Sequence, residues 1–222
     1  MALRRPYLYL LVTLVISIVL MEVLVEIAEH TFIKPALQQL ELQFIAYVQQ
    51  FVTPPLTAEV MLVTASGSST FYLLASALVC CWYLYSRQKD RLYLYLVCLC
   101  GGGILNQVLK RIFERVRPDI FPVIAESGYS FPSGHAMGAI CFYGILAYFA
   151  GLGLRSKPLR WGLMAAAGIY ILLIGLSRVY LGVHYPTDIL AGYAAGATWL
   201  FFCITLHRIF RKHYKRAQLP PL

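Results

Sequence analysis

Six long apolar runs, separated by short charged or polar turns, constrain the fold of this chain more than any other feature. The runs are Tyr7–Ala28, Thr57–Tyr85, Leu92–Leu109, His135–Leu154, Trp161–Leu176 and Pro186–Leu206. Apolar runs of about this length are typical of transmembrane helices. Hydrophobic residues make up 59% of the chain and charged residues only 13%, which excludes an ordinary soluble surface. The sequence therefore predicts an all-α integral membrane bundle of six transmembrane helices, with residues 1–222 forming a single domain.

The segment from His30 to about Thr57, which follows the first run, has a different pattern. It interleaves apolar residues with glutamines, a lysine and a glutamate, and Pro54-Pro55 closes it. Its apolar residues recur at spacings of three and four: Leu37, Leu40, Phe44, Val48 and Phe51. This spacing predicts an amphipathic helix that lies in the membrane interface. Two roles stay open for it, a structural one and the shaping of a lateral entry for a lipid substrate.

The positions of lysine and arginine predict the orientation of the bundle, because cytoplasmic loops carry an excess of these residues. Six spans place both termini on one side, and a cytoplasmic N-terminus leaves all but six of the 19 lysines and arginines in the cytoplasm. The exceptions are Lys34, Lys110, Arg111, Arg115, Arg117 and Arg178. The sequence therefore predicts a multi-pass protein of the cell membrane with both termini cytoplasmic. Five of the six exceptions fall in or beside two polar stretches, which predicts a functional site at the outer face.

Other features of the composition do not indicate a different function. The net charge is +9, but the basic residues fall in short clusters between apolar runs, where topology explains them better than nucleic-acid binding does. The six cysteines lie inside apolar runs and are predicted to be small packing residues. The pattern Gly192-x-x-x-Gly196 predicts close helix packing within or between chains, so the oligomeric state stays open.

Three separated stretches on the predicted outer face carry charged groups that are costly to place in a membrane and therefore mark a functional site. The stretches are Lys110–Pro118, Pro132–His135 and Ser177–Asp188. Lys110, Arg117 and Arg178 would repel one another unless an anion neutralises them. Guanidinium groups bind phosphate oxygens with two parallel hydrogen bonds, so the predicted ligand is a phosphate group.

The remaining polar residues of these stretches predict a hydrolytic mechanism. Ser133 and Gly134 precede the fourth span, where a helix N-terminus favours an anion and Ser133 either caps the helix or donates to phosphate. Asp188 lies one helical turn after His184, so it can accept a proton from the imidazole ring and leave the other nitrogen as a nucleophile. His135, at the head of another helix, is the candidate general acid.

The three stretches resemble the three signature motifs of the type 2 phosphatidic acid phosphatase superfamily: K-x6-R-P, P-S-G-H and S-R-x5-H-x3-D. All three are intact and in order. The resemblance implies a six-helix membrane bundle, and a phosphohistidine formed on His184 that a second water molecule hydrolyses. It also implies that Asp188 orients His184, that His135 protonates the leaving group, and that the phosphate is held by Lys110, Arg117, Ser133, the Gly134 amide and Arg178. The resemblance implies no metal and no cofactor.

Other charged residues of the central segment have less specific roles. Arg111, Glu114, Arg115 and Asp119 are predicted to form a charged loop at the interface rather than to take part in catalysis. Glu126 lies shortly before the P-S-G-H motif, so it is a candidate accessory residue for substrate or proton handling.

The sequence thus predicts a membrane lipid phosphatase that hydrolyses a phosphomonoester or diphosphate of a lipid headgroup at the outer membrane face. Undecaprenyl diphosphate, phosphatidylglycerol phosphate, phosphatidic acid and diacylglycerol pyrophosphate stay open as substrates. One alternative is a vanadate-dependent haloperoxidase-like enzyme, against which the six spans argue. Another is a non-catalytic lipid binder or transporter on the same bundle, against which the intact motifs argue.

Overall fold

The computed structural model describes residues 4–119 and 122–217, and all regular elements within those ranges are helices. The helices are α1 (Arg4–Ile33), α2 (Pro35–Gln49), α3 (Pro54–Ala65), α4 (Ser69–Tyr85), α5 (Lys89–Phe113), α6 (Gly134–Ala139), α7 (Ile145–Gly153), α8 (Lys157–Tyr180) and α9 (Pro186–Ala217). A π-helical turn, Ile140–Gly144, joins α6 and α7 into one rod.

Five continuous helical segments in the described ranges are long and apolar enough to cross a membrane, and the bent pair α3 and α4 makes a sixth candidate. The predicted all-α membrane bundle is therefore confirmed. Several helices extend beyond the apolar runs into interfacial sequence, since α1 continues to Ile33 and α5 runs from Lys89 to Phe113. Helix α9 continues to Ala217, beyond the predicted end at Leu206.

The second span departs from the prediction of one straight run, because its two halves meet at an angle of 49°. The break falls at Ser66, Gly67 and Ser68. The hydroxyl of Ser68 accepts a hydrogen bond from the backbone N–H of Phe71 at 3.1 Å, which caps the start of α4. Pro54 also differs from the prediction, since it begins α3 rather than closing the preceding segment. Proline suits the first helical turn, where its missing N–H is not needed.

Helix α2 is amphipathic, as predicted, but its buried side carries a charge. Ile45 and Glu41 are buried, whereas Leu40, Phe44 and Phe51 are exposed on or just after the helix. Its 15 residues are too few to cross a bilayer. The exposed apolar residues suit an interfacial position, while Glu41 points into the bundle through contacts described below.

The glycines of the predicted packing pattern bring α9 against α6 within one chain. A Cβ atom on Gly192 would lie 2.7 Å from the carbonyl oxygen of Ser133, and one on Gly196 would lie 2.9 Å from that of Met137. The backbone N–H of Ser133 also donates to the carbonyl oxygen of Asp188 at 2.9 Å. Because the helices approach so closely, the N-termini of α6 and α9 meet at one end of the bundle.

Candidate active site

The three motif stretches converge at this end of the bundle, around a cavity of about 660 Å³. Five of the predicted site residues and the predicted accessory residue line it: Lys110, Arg117, Gly134, His135, His184 and Glu126. The other three, Ser133, Arg178 and Asp188, are buried and connect to the site through hydrogen bonds. The structure thus brings together residues that lie as far apart in the sequence as Lys110 and Asp188.

His184 lies in the tight connection between α8 and α9, and Asp188 lies in the first turn of α9. The imidazole Nδ1 is 3.2 Å from the Asp188 Oδ2 atom, and both side chains are almost fully buried. The other ring nitrogen, Nε2, is 3.1 Å from an Nη1 atom of Arg117. With Nδ1 held by the carboxylate, Nε2 is the nitrogen that is available to react.

Burial lowers the pKa of His184 to about 4, and the hydrogen bond from the ring to Asp188 opposes this shift without cancelling it. The ring is therefore neutral at neutral pH. A neutral imidazole has a lone pair on one nitrogen, which a nucleophile requires.

Asp188 receives hydrogen bonds on both carboxylate oxygens. The hydroxyl of Ser130 and the backbone N–H of Tyr185 donate to Oδ2, the latter at 3.0 Å. An Nη1 atom of Arg115 donates to Oδ1 at 2.6 Å. Because the buried carboxylate has this many donors, its orientation toward His184 is fixed from several sides.

The interpretation of Arg115 as part of an interfacial charged loop is wrong, because this side chain is 8% exposed and forms an ion pair with Asp188. Its second partner is Glu41 of α2, at 2.6 Å. The other three residues of that predicted loop, Arg111, Glu114 and Asp119, are exposed. The sequence contained one indication of the pairing, since Arg115 is a cation on the outer side and Glu41 is an acid within a membrane-associated helix.

Arg178 is buried deepest of the three predicted phosphate-binding cations, with 1% of its surface exposed. One Nη atom donates to the Thr64 hydroxyl at 2.8 Å, and the other donates to the Glu126 carboxylate. Its Nε atom is buried without a hydrogen-bond partner among the residues that the structure describes. Sequence reasoning missed Thr64, whose role depends on the bend after α3.

The other two cations are held by backbone carbonyl groups of the loop before α6. Lys110 donates to the carbonyl oxygen of Tyr129 at 2.6 Å. Arg117 donates to the carbonyl oxygens of Ser127 at 3.2 Å and Gly128 at 3.0 Å. The Glu126 carboxylate lies 3.9 Å from Arg117, so an acidic group sits among the cations. Side chains that already have partners need little reorganisation to bind an anion.

The P-S-G-H stretch forms the N-terminus of α6. Ser133 is its N-cap, and the serine hydroxyl accepts a hydrogen bond from the backbone N–H of Ala136 at 3.4 Å. The structure thus shows the capping role of Ser133, and its phosphate-binding role stays a prediction. A Cβ atom at Gly134 would lie 3.1 Å from the Asn106 side-chain oxygen, so glycine allows a close approach there. His135 follows as the second residue of the helix, on the cavity wall.

From this polar end the cavity continues as a groove between α4 and α5. Small and apolar side chains dominate this part of the lining, including Leu73, Ala77, Cys80, Leu96, Leu99 and Gly103. None of the described residues in the 30–57 segment lines it. The groove is therefore formed by the second and third spans, and α2 lies elsewhere on the bundle.

Residues 91–212 match the family model of the PAP2 superfamily, which is more than half of the 222-residue chain. The chain belongs to the PAP2 superfamily. It is 40% identical over 156 residues to phosphatidylglycerophosphatase B of Bacillus subtilis, an alignment that covers 69% of this chain and 76% of that protein. It is 36% identical over 106 residues to lipid A 1-phosphatase of Rhizobium johnstonii, covering 43% of this chain and 39% of that relative.

The PAP2 fold is also found in a solved structure, that of a transmembrane PAP2-type phosphatidylglycerolphosphate phosphatase from Bacillus subtilis. The TM-score is 0.79 at 32% identity, and the match covers 89% of this chain and 96% of that one. Together these likenesses establish the enzyme class as a membrane lipid phosphate phosphatase. The prediction that no metal takes part stays a prediction. Among the described residues, no group of three His, Cys, Asp or Glu side chains is arranged to hold a metal ion.

Proposed function

We propose that this PAP2 protein removes phosphate from a lipid headgroup through a phosphohistidine formed on His184. The observation that carries the proposal is the buried His184–Asp188 pair, which leaves the Nε2 atom on the cavity wall beside Arg117. A base-oriented nucleophile next to a cation-lined pocket is the arrangement that covalent phosphoryl transfer requires.

In the first step, Nε2 of His184 attacks the phosphorus atom, and the bond between phosphorus and the lipid oxygen breaks. His135 gives a proton to that oxygen, so the lipid leaves as a neutral alcohol. Arg117, Arg178 and Lys110 stabilise the charge on the non-bridging oxygens during transfer. Asp188 stabilises the positive charge that develops on the imidazole ring.

In the second step, a water molecule attacks the phosphohistidine. His135, now neutral, accepts a proton from the water, and the bond between Nε2 and phosphorus breaks. Inorganic phosphate leaves and His184 returns to its neutral form. The two steps consume one water and produce one alcohol and one phosphate, with no redox partner.

The groove between α4 and α5 supports a lipid as the substrate, because it leads from the catalytic residues along an apolar wall of the membrane-spanning helices. We propose a glycerolipid phosphomonoester, with phosphatidylglycerol phosphate first, since both the Bacillus subtilis sequence match and the Bacillus subtilis structural match are named for that substrate. Phosphate release from purified lipid monophosphates and diphosphates in detergent tests this order. Faster turnover of undecaprenyl diphosphate than of any monophosphate would contradict it.

The variant His184→Ala tests the covalent route. It should abolish phosphate release and the acid-labile phosphoprotein that rapid quenching traps in the wild type. His30→Ala is the matched control, since the His30 ring forms a hydrogen bond with Lys34 and lies outside the cavity lining. Release near the wild-type rate in His184→Ala would refute the mechanism.

The proposed orientation places the cavity at the outer face and both termini in the cytoplasm. It is supported by the distribution of lysine and arginine along the chain. Ser127→Cys in a cysteine-free background places a thiol in the exposed loop beside the cavity. A membrane-impermeant maleimide should label it in intact cells. Labelling only after the membrane is made permeable would show that the loop faces the cytoplasm and would contradict the proposed orientation.

A further inference from the structure

We propose that Arg115 and Glu41 are positioning residues for Asp188, which makes α2 part of the catalytic apparatus. The inference rests on the proposed role of His184. One Nη atom of Arg115 lies 2.6 Å from Asp188 Oδ1, and the other lies 2.6 Å from Glu41 Oε2. All three side chains are buried, with 8%, 0% and 4% of their surfaces exposed. A single guanidinium group therefore bridges α2 and the first turn of α9.

Arg115 fixes the rotation of the Asp188 carboxylate. Oδ2 faces His184 Nδ1, while Oδ1 points away toward the guanidinium group. Ser130 and the Tyr185 N–H hold Oδ2 alone, so without a donor on Oδ1 the carboxylate would have fewer restraints on its rotation and on its orientation toward His184. Tyr185 keeps the guanidinium plane in place, since the Cζ atom of Arg115 lies 3.8 Å from the centre of its ring. A lysine could not form this planar, two-sided contact.

Glu41 acts on the same turn through a second route. Its Oε1 atom accepts hydrogen bonds from the backbone N–H of Thr187 at 2.9 Å and from the Thr187 hydroxyl at 2.6 Å. Thr187 directly precedes Asp188. The carboxylate at the N-terminus of α9 thus satisfies an N–H group that has no partner inside the helix. Glu41 holds both the arginine that orients Asp188 and the backbone that carries it.

Glu41 also balances charge. Arg115 faces two carboxylates, so its positive charge is shared between Asp188 and Glu41. If Glu41 became neutral, Arg115 would interact with Asp188 alone and reduce its ability to stabilise a positive His184 ring. The charged and titratable groups around His184 are Asp188 on α9, Arg117 before α6, Arg178 on α8 and His135 on α6. Glu41 lies outside the cavity and would change the electrostatic environment of His184 through Arg115 and Asp188.

The test compares Glu41→Gln with Glu59→Gln, which removes an equal charge from an exposed site on α3. Glu41→Gln should lower kcat about 10- to 100-fold on a lipid phosphate, because a charge-assisted hydrogen bond is lost. KM should stay within about twofold, since Glu41 does not line the cavity. The acid limb of kcat should move to lower pH, because the protonated ring loses a nearby negative charge. Glu59→Gln should match the wild type in all three.

If Glu41→Gln does not fold, Arg115→Lys is the second variant, with the same loss of kcat expected and no change in KM. A role of Glu41 in stability alone would lower the melting temperature but leave kcat per active site and the acid limb unchanged, and that result overturns the inference. If Glu41→Gln hydrolyses lipid phosphates as well as the wild type does, the inference is also overturned. The proposed function is then unaffected. Wild-type protein that releases no phosphate overturns both.

Discussion

Replacing Gly67 by alanine should impair catalysis from outside the three sequence motifs. Gly67 lies at the bend between α3 and α4, where an added Cβ atom would lie 2.5 Å from Ile174 Cγ2 and 3.0 Å from His135 Cδ2. Ordinary contacts of this kind begin at 3.4 Å, so Ile174 would have to move about 0.9 Å and His135 about 0.4 Å. Ile174 is fully buried and its branched side chain has few alternative rotamers. His135 borders the cavity and is therefore the group that yields more easily.

These displacements set the expected magnitudes. Overpacking a buried contact should lower the free energy of unfolding by about 1–3 kcal/mol. A shift of His135, the proposed general acid, by about half an ångström should lower kcat roughly 10-fold, since about 1 Å of misplacement costs about 100-fold. The measurements are the thermal melting temperature in detergent and kcat on a lipid phosphate. Gly168→Ala on α8 is the matched control, because a Cβ atom there meets nothing within 4 Å.

Two results would refute this reasoning. If Gly67→Ala had wild-type kcat and melting temperature, the bend would not be packed as closely as the structure indicates. A lower melting temperature with unchanged kcat would mean that Ile174 moves and His135 does not. In that case the bend would support the fold without affecting the acid.

Three further predictions follow from the site. Because the pKa of His184 is lowered to about 4, its nucleophilic form should persist on acidification, and the acid limb of kcat/KM that belongs to the enzyme should lie at about pH 4; an acid limb near the ordinary histidine value of about 6.5 that does not move with the pKa of the lipid phosphate used would contradict this. Gly103→Leu fills the groove without meeting another atom within 4 Å at Cβ, so KM should rise several-fold for long-chain lipid phosphates and stay constant for a short-chain ester. Arg178→Lys should raise KM at least 10-fold in phosphate-release assays, because one amine cannot replace the fork that contacts Thr64 and Glu126 and that we propose holds the phosphate; an unchanged KM would exclude Arg178 from binding.

Hydropathy alone predicts most of this fold, because a membrane fixes the length of a spanning helix and leaves few alternatives. The alternation of spans then brings the motif stretches to one side of the membrane. Lys110 lies at the end of the third span and His135 at the start of the fourth, so both lie on the same side. The motif stretches then meet around one cavity because a small number of spans must pack against one another. The positions of the spans can be predicted because each depends only on the apolar residues within its own segment.

The parts that sequence reasoning missed depend on contacts between distant segments. Arg115 and Glu41 are 74 residues apart, and no periodicity connects them. Whether Arg115 faces water or Asp188 depends on the turn after α5, where Glu114 adopts a positive φ of 46°. The bend at Gly67 likewise requires the position of Ile174, which belongs to a different span. Such pairings are decided by packing in three dimensions.

The meeting of the α6 and α9 N-termini has a consequence for biogenesis. Ser133 can donate its backbone hydrogen bond to the Asp188 carbonyl group only after the chain has crossed the bilayer twice more through α7 and α8. During synthesis, Lys110 and Arg117 are therefore added to the chain well before His184 and Asp188. Until α9 packs against α6, the nascent chain has these cations without the buried pair of His184 and Asp188, so the proposed site is incomplete up to that point.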